Sequence, residues 1–160
     1  MSFGAFGGRH GLMDCLDMRR SGAISHPGTF NNNSLSMACG LAATQCLTAE
    51  SIERVNALGD QLRVGVRQLA LHRDVSLSIT GLGSLSCIHF QRAPITKPGD
   101  IVADRSSLRD LFHIYMLMQG CYLARRGSIY LSLESTSDAV LAFLDATERF
   151  LNQYRHLLRA

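Results

Sequence analysis

The stretch Val75-Ser76-Leu77-Ser78-Ile79-Thr80-Gly81-Leu82-Gly83-Ser84-Leu85-Ser86-Cys87-Ile88-His89-Phe90 changes the period of the chain. Val75, Leu77 and Ile79 alternate with polar residues, Gly81-Leu82-Gly83 supplies a turn, and Leu85, Cys87 and His89 alternate against Ser86, Ile88 and Phe90. A period of two sends successive side chains to opposite faces of a strand, so the stretch predicts two strands joined by a tight turn.

Both flanks are helical. Upstream, Thr48 offers a cap, and Ile52, Val55, Leu62, Val66 and Leu69 recur at helical spacings among Glu53, Arg54, Asp60, Arg63 and Arg67, which predicts an amphipathic helix to about His72. Downstream, Pro94, Pro98 and Gly99 mark a loop from Ala93 to Asp100. A stripe of Leu108, Leu111, Phe112, Tyr115 and Met118 then predicts a helix ending near Gly120. Cys121 to Leu123 and Ile129 to Leu133 read as short strands around Arg125-Arg126-Gly127. A last helix starts at Thr136 or Ser137, with Val140, Phe143, Leu144, Phe150, Leu151 and Tyr154 on one face. From residue 50 onward the order α-β-β-α-β-β-α predicts an α+β domain, its helices covering one side of a small, largely antiparallel sheet.

Composition narrows the function classes. Of 160 residues 46% are hydrophobic and 18% charged, enough to bury a core. The net charge of +3 is scattered, which argues against a nucleic-acid partner. No apolar run approaches the roughly 18 to 20 residues that span a bilayer, and Met1 to Arg9 does not read as a secretory signal, so a membrane role is not expected. Cys15, Cys39, Cys46, Cys87 and Cys121 are odd in number, widely spaced and mostly flanked by apolar residues. They predict buried, reduced thiols and a cytoplasmic chain. Only Cys87 and His89 stand at a short ligand spacing, so no metal site is expected. Lys97 is the sole lysine, and its proline-flanked loop suits a solvated side chain.

The first 33 residues differ from the rest. They carry Gly4, Gly7, Gly8, Gly11, Gly22 and Pro27-Gly28-Thr29, then Asn31 to Asn33, and predict turns around one short helix between Arg9 and Arg19. Ser34 is placed to cap a helix from Leu35 to Leu47 that is small and apolar nearly all round, suited to burial between two bodies of protein. A Gly28-Thr29 step ahead of that helix reads in two ways. It is a turn that caps the helix, or it gives an anion backbone N–H groups, a hydroxyl and the positive end of a helix dipole.

The ordered series resembles the class III aminotransferases, closest to the branch containing glutamate-1-semialdehyde 2,1-aminomutase. It runs from Ser2-Phe3-Gly4-Ala5-Phe6-Gly7-Gly8-Arg9 through Met13-Asp14 and Gly28-Thr29-Phe30-Asn31-Asn32-Asn33-Ser34 into Leu35 to Ala42. It continues with Gly120-Cys121-Tyr122-Leu123-Ala124-Arg125-Arg126-Gly127 and Leu131-Ser132-Leu133. The resemblance covers essentially the whole chain and implies the C-terminal portion of such an enzyme. Residues 1–47 would be the tail of a large domain binding pyridoxal 5′-phosphate, and 48–160 a small α+β domain of a fold-type I enzyme. Family members are dimers that transfer an amino group on a small amino acid or amino-aldehyde, with the cofactor in a Schiff base to a lysine. That lysine belongs just upstream of the block beginning here at Met1, so the resemblance implies no catalytic residue on this chain and no activity of the chain alone.

Three positions carry over. Gly28 and Thr29 match the loop that reaches across the dimer to the phosphate of the partner's cofactor. Arg126 matches an arginine that clamps a substrate carboxylate in part of the family, while Arg125 stands where proline is more frequent. His26 adjoins the phosphate loop; His89 and His113 read as core histidines. Two other readings remain: a non-catalytic subunit that pairs with a full-length homologue, and a free-standing ligand-binding domain over residues 50–160.

Overall fold

The computed structural model describes residues 3–29, 31, 33–102 and 105–158. They form two compact units, Met1–Thr48 and Ala49–Ala160.

In the first unit α1 spans His10–Met13 and runs into a 3₁₀ turn, Asp14–Leu16. Among its described residues the only long element is α2, Ser34–Cys46. Its cap is Asn33 rather than Ser34: the Asn33 side-chain oxygen accepts the Ser36 N–H at 3.1 Å, and Ser34 is the first helical residue. A short amide side chain held in extended backbone satisfies an otherwise orphaned helix N–H, which is what a cap position requires. On α2 only Gly40 is buried, in close contact with the Phe3 ring, and Leu35, Met37 and Leu41 are exposed. The expectation of buried thiols fails with it. Cys15, Cys39 and Cys46 are exposed, Cys87 and Cys121 are half-buried, and none of the five forms a disulfide. An apolar neighbour in sequence does not bury a cysteine on a helix whose flanks nothing in its own unit covers.

The second unit opens with α3, Ala49–Arg73. It ends where Asp74 takes a left-handed φ of 51° and the Val75 N–H bonds back to the Ala70 carbonyl at 3.2 Å. Strands β1 (Ser78–Leu82), β2 (Leu85–His89) and β3 (Ser128–Tyr130) follow, with α4 (Ser106–Met118) before β3, then α5 (Ser137–Gln153) and α6 (Arg155–Leu158). The sheet is antiparallel in the order β1-β2-β3. Ile79 lies opposite Ile88, and Ser86 opposite Ile129.

Two sequence expectations shift. β1 starts at Ser78 and includes Gly81 and Leu82, so the turn is confined to Gly83-Ser84. Gly83 adopts φ +53°, a left-handed conformation suited to glycine in so short a hairpin. Cys121 to Leu123 has no regular structure and pairs with no strand, because the chain there serves as the exit of α4, the Cys121 N–H bonding the Met116 carbonyl at 2.8 Å. The fourth strand is therefore absent among the described residues.

Ile79, Ile88 and Ile129 turn one sheet face toward α3, α4 and α5, where Leu62, Val66, Phe112, Met116, Phe150 and Leu151 complete a single apolar core. Rings make its centre: Phe150 meets Phe112 and Tyr154 at 4.9 Å, and Tyr115 at 5.3 Å. The fold is α+β, with the helices on one face of the sheet. The opposite face carries Thr80, Cys87, Ser128 and Tyr130.

Two arginines of α3 hold loops to this body. Arg63, only 4% exposed, donates to the carbonyl of Gly83 at 2.7 Å and the hydroxyl of Ser86 at 3.0 Å. Arg54 donates to the carbonyls of Leu133 and Ser135, in the connection between β3 and α5.

Candidate functional site

In the first unit the loop before α2 is a closed turn. The Asn31 N–H donates to the Gly28 carbonyl at 2.9 Å, and the Asn31 side-chain N–H reaches the His26 carbonyl at 3.0 Å. A Cβ on Gly28 would stand 2.6 to 2.9 Å from the Asn31 amide group, so a side chain here would displace that amide from its place. His26 is fixed from the other side by an edge contact with Phe6, ring centres 5.2 Å apart. Between these anchors Thr29 is exposed, one turn ahead of the α2 N-terminus. Phe30 and Asn32, quoted above as part of the motif, lie outside the described residues.

In the second unit Arg125 and Arg126 are the central pair of a tight turn. The Gly127 N–H closes it on the Ala124 carbonyl at 2.8 Å, with Gly127 at φ +90°. The two side chains part company. Arg125 makes a two-pronged pair with Asp110, at 2.7 and 2.6 Å, which holds that carboxyl below the usual carboxylate range. Arg126 instead donates to neutral hydroxyls, Tyr130 at 2.9 Å and Ser128 at 3.3 Å. The guanidinium, and after it Ser128, push the Tyr130 hydroxyl below the ordinary tyrosine value.

Arg126, Ser128 and Tyr130 recur at every second residue, so one strand face gathers them. That alternation was visible in the sequence as a signal for the partners of Arg126. Asn31 carried no such signal, since its role depends on how the loop folds back on Gly28.

His89 bonds Thr80 through Nε2 at 2.9 Å, and burial, followed by the charge of Arg109, lowers its pKa. His113 Nδ1 faces the Leu123 carbonyl at 3.0 Å. Both are structural histidines. Lys97 is exposed in the loop preceding α4. The structure thus places Gly28 and Thr29 together in the first unit and Arg126 in the second. Among the described residues no group of three or more His, Cys, Asp or Glu is placed to hold a metal ion, and no helix is long and apolar enough to cross a membrane.

The chain has well-matched relatives. It is 38% identical over 161 residues, 99% of its length, to an uncharacterized aminotransferase of Schizosaccharomyces pombe. It is 29% identical over 94% of its length to a glutamate-1-semialdehyde 2,1-aminomutase of Staphylococcus epidermidis. Its fold superimposes on a β-phenylalanine aminotransferase from Variovorax paradoxus with a TM-score of 0.86 and 33% identity, over 95% of this chain and 35% of that one. No family model matches. The chain spans about a third of the length of these proteins, 36% of the first and 35% of the second. Matched along nearly its whole length in both sequence and fold, the chain has class III aminotransferases and glutamate-1-semialdehyde aminomutases as its homologues, consistent with a C-terminal portion of that family.

Proposed function

We propose that the chain supplies the C-terminal portion of a pyridoxal 5′-phosphate-dependent aminotransferase or aminomutase acting on a small amino acid or amino-aldehyde, and that it is inactive alone. The observation that carries this reading is the closed turn at Gly28-Asn31, which leaves Thr29 exposed ahead of a 13-residue helix. An exposed hydroxyl ahead of a helix N-terminus suits a phosphate group. The residues present fit the phosphate end of the cofactor and not its aldehyde end, because the single lysine sits exposed in a loop of the other unit.

When bound, the cofactor supplies an electron sink for the substrate carbon that loses its proton. The chain's own residues bind and orient. Thr29 and the Gly28 turn hold phosphate belonging to a partner subunit's cofactor, and Arg126 directs its free guanidinium hydrogens to a substrate carboxylate. Such a chain works in a dimer, and we place it in the cytoplasm. The exposed Leu35, Met37 and Leu41 of α2 favour pairing with a full-length homologue as a second reading.

Mixing the purified chain with pyridoxal phosphate should produce no new visible absorbance band. A band that disappears in Lys97→Ala would overturn the claim that the chain is inactive alone. Co-expression with a full-length class III aminotransferase tests the rest: a mixed dimer should retain less cofactor when this chain carries Thr29→Ala. Equal retention would remove Thr29 from the phosphate site.

A further inference from the structure

The chain before the Arg125-Arg126 turn and β3 after it form a hairpin that closes at one end only. At the turn the Ala124 N–H donates to the Ser128 carbonyl at 3.0 Å. Beyond that bond the arms part: among the described residues no backbone hydrogen bond joins Cys121, Tyr122 or Leu123 to β3. One edge of β3 is left open. The Leu131 N–H donates to the Ser84 carbonyl at 3.1 Å, and the Gly127 carbonyl accepts the Ile88 N–H at 3.0 Å, so odd-numbered residues here turn their backbone groups toward β2. Backbone groups alternate sides along an antiparallel strand, so Tyr130, opposite Leu85, turns its N–H and carbonyl to the far edge, the one on which Ser128 meets Ala124.

A cavity of about 350 Å³ occupies the gap between the parted arms and the start of α5. Cys121 lines it from one arm and Tyr130 from the other. Leu62, Ile129, Val140 and Phe143, all buried, make an apolar floor. Among the described residues no Asp, Glu, Lys, Arg or His lines the cavity, so an ion entering it would shed water with no opposite charge to meet. The volume lies at the lower end of the roughly 300 to 1,000 Å³ of small-ligand sites.

We propose that this open hairpin binds a short, uncharged peptide segment in extended form, added to β3 as the strand that the chain itself does not supply. A residue opposite Tyr130 would exchange N–H and carbonyl bonds with it, satisfying a donor and an acceptor that lie at a strand edge. Side chains alternate along a strand, so the next residue of the segment would turn to the face of Ile129 and rest on Val140 and Phe143. A bare hydrocarbon would cover the floor and leave the edge unpaired, and a charged side chain would meet no partner on the floor. The ligand class is therefore a main chain carrying one apolar residue of moderate size.

The chain has no tryptophan, so the test is a fluorescence titration of the whole 160-residue chain with N-acetyl-glycyl-tryptophanamide. A single saturable site with blue-shifted emission is expected. Methylating the glycine nitrogen of the probe removes its donor to Tyr130 and should weaken binding about fivefold. N-acetyl-glycyl-leucinamide should displace the probe, and N-acetyl-glycyl-lysinamide should need at least about tenfold more to do so. Hydrogen exchange, read residue by residue, should show the Tyr130 amide slowed at least about tenfold by the probe. Ala142→Phe, which fills the cavity from an exposed position of α5, should abolish binding with an unchanged far-ultraviolet spectrum. Ala139→Leu does the same from the neighbouring turn should the first variant misfold. Absence of saturation, an unaltered Tyr130 exchange rate, equal affinity for the methylated probe, equal displacement by the two competitors, or binding that survives the cavity variants would overturn the inference.

Discussion

Gly59 on α3 and Gly83 in the hairpin turn are in backbone contact, so close that a Cβ on Gly59 would overlap the carbonyl oxygen of Gly83. That oxygen is also the acceptor of the Arg63 guanidinium at 2.7 Å. A methyl group at position 59 would push the turn off the helix and lengthen that bond. Gly59→Ala should destabilise the second unit by about 2 to 3 kcal/mol despite the better helix propensity of alanine. Urea denaturation measures it; an unchanged midpoint would show that the turn moves freely.

Arg63 itself is buried while its carboxylate neighbour Asp60 is largely in water, with side-chain exposures of 5% and 74%. The stabilisation therefore resides in the hairpin acceptors and not in the ion pair. Arg63→Ala should cost about 3 kcal/mol, since it strands the Gly83 carbonyl and the Ser86 hydroxyl, whereas Asp60→Ala should cost less than about 1 kcal/mol. Equal losses in the two variants would contradict this ordering.

His89 gives the fold a pH dependence of definite sign. Its pKa in the folded chain is lowered from 6.5 by burial first and by Arg109 second, so the folded state favours the neutral ring. The unfolded chain takes up the proton first as pH falls. Stability is complete above about pH 6.5 and declines below it until the folded-state pKa is reached. His89→Gln should flatten the stability profile between pH 6.5 and the onset of carboxylate titration, and an unaltered slope there would assign it to other groups.

Phe150 touches Phe90, Phe112, Tyr115 and Tyr154 and has no solvent exposure. Phe150→Ala should cost about 3 to 5 kcal/mol, and Phe150→Leu considerably less, because leucine refills most of the volume. Thermal unfolding followed by near-ultraviolet circular dichroism gives both values.

The apolar flank of α2 predicts association. Leu35 and Leu41 are each 63% exposed and Met37 is 46% exposed. The chain alone should self-associate, and Leu35→Gln with Leu41→Gln should reduce the scattering mass toward that of a monomer. A monodisperse wild-type monomer would show that this face does not associate.

The regions legible in sequence were those where a single period held for several turns. Helices α3, α4 and α5 were placed within a few residues from the spacing of Leu62, Val66, Phe112 and Phe150, because burying one stripe fixes a helix. β2 was placed to within one residue, its expected run reaching Phe90 where the strand ends at His89, because Ile88 must face inward. Cys121 to Leu123 misled, since a short apolar run is equally a strand or the buried exit of a helix, and only its pairing distinguishes the two. The cap at Asn33 was passed over for Ser34 because both residue types cap helices and the choice depends on one backbone angle. Thr29 was legible locally as either a capping turn or an anion site, and the order of motifs favoured the second; Arg126 was visible only through that order. The partners of Arg126 follow from a spacing of two residues, whereas Asn31, the support of the Gly28 turn, depends on a chain reversal that no spacing in the sequence specifies.

The two arginines that α3 extends to its neighbours differ in when their acceptors exist. The acceptors of Arg63 lie 20 to 23 residues further along, whereas those of Arg54 lie 79 and 81 residues away. Closing the short loop costs less entropy than closing the long one. Along the chain, the acceptors of Arg63 are present once the β1-β2 hairpin is, whereas those of Arg54 exist only when the β3–α5 connection has been made.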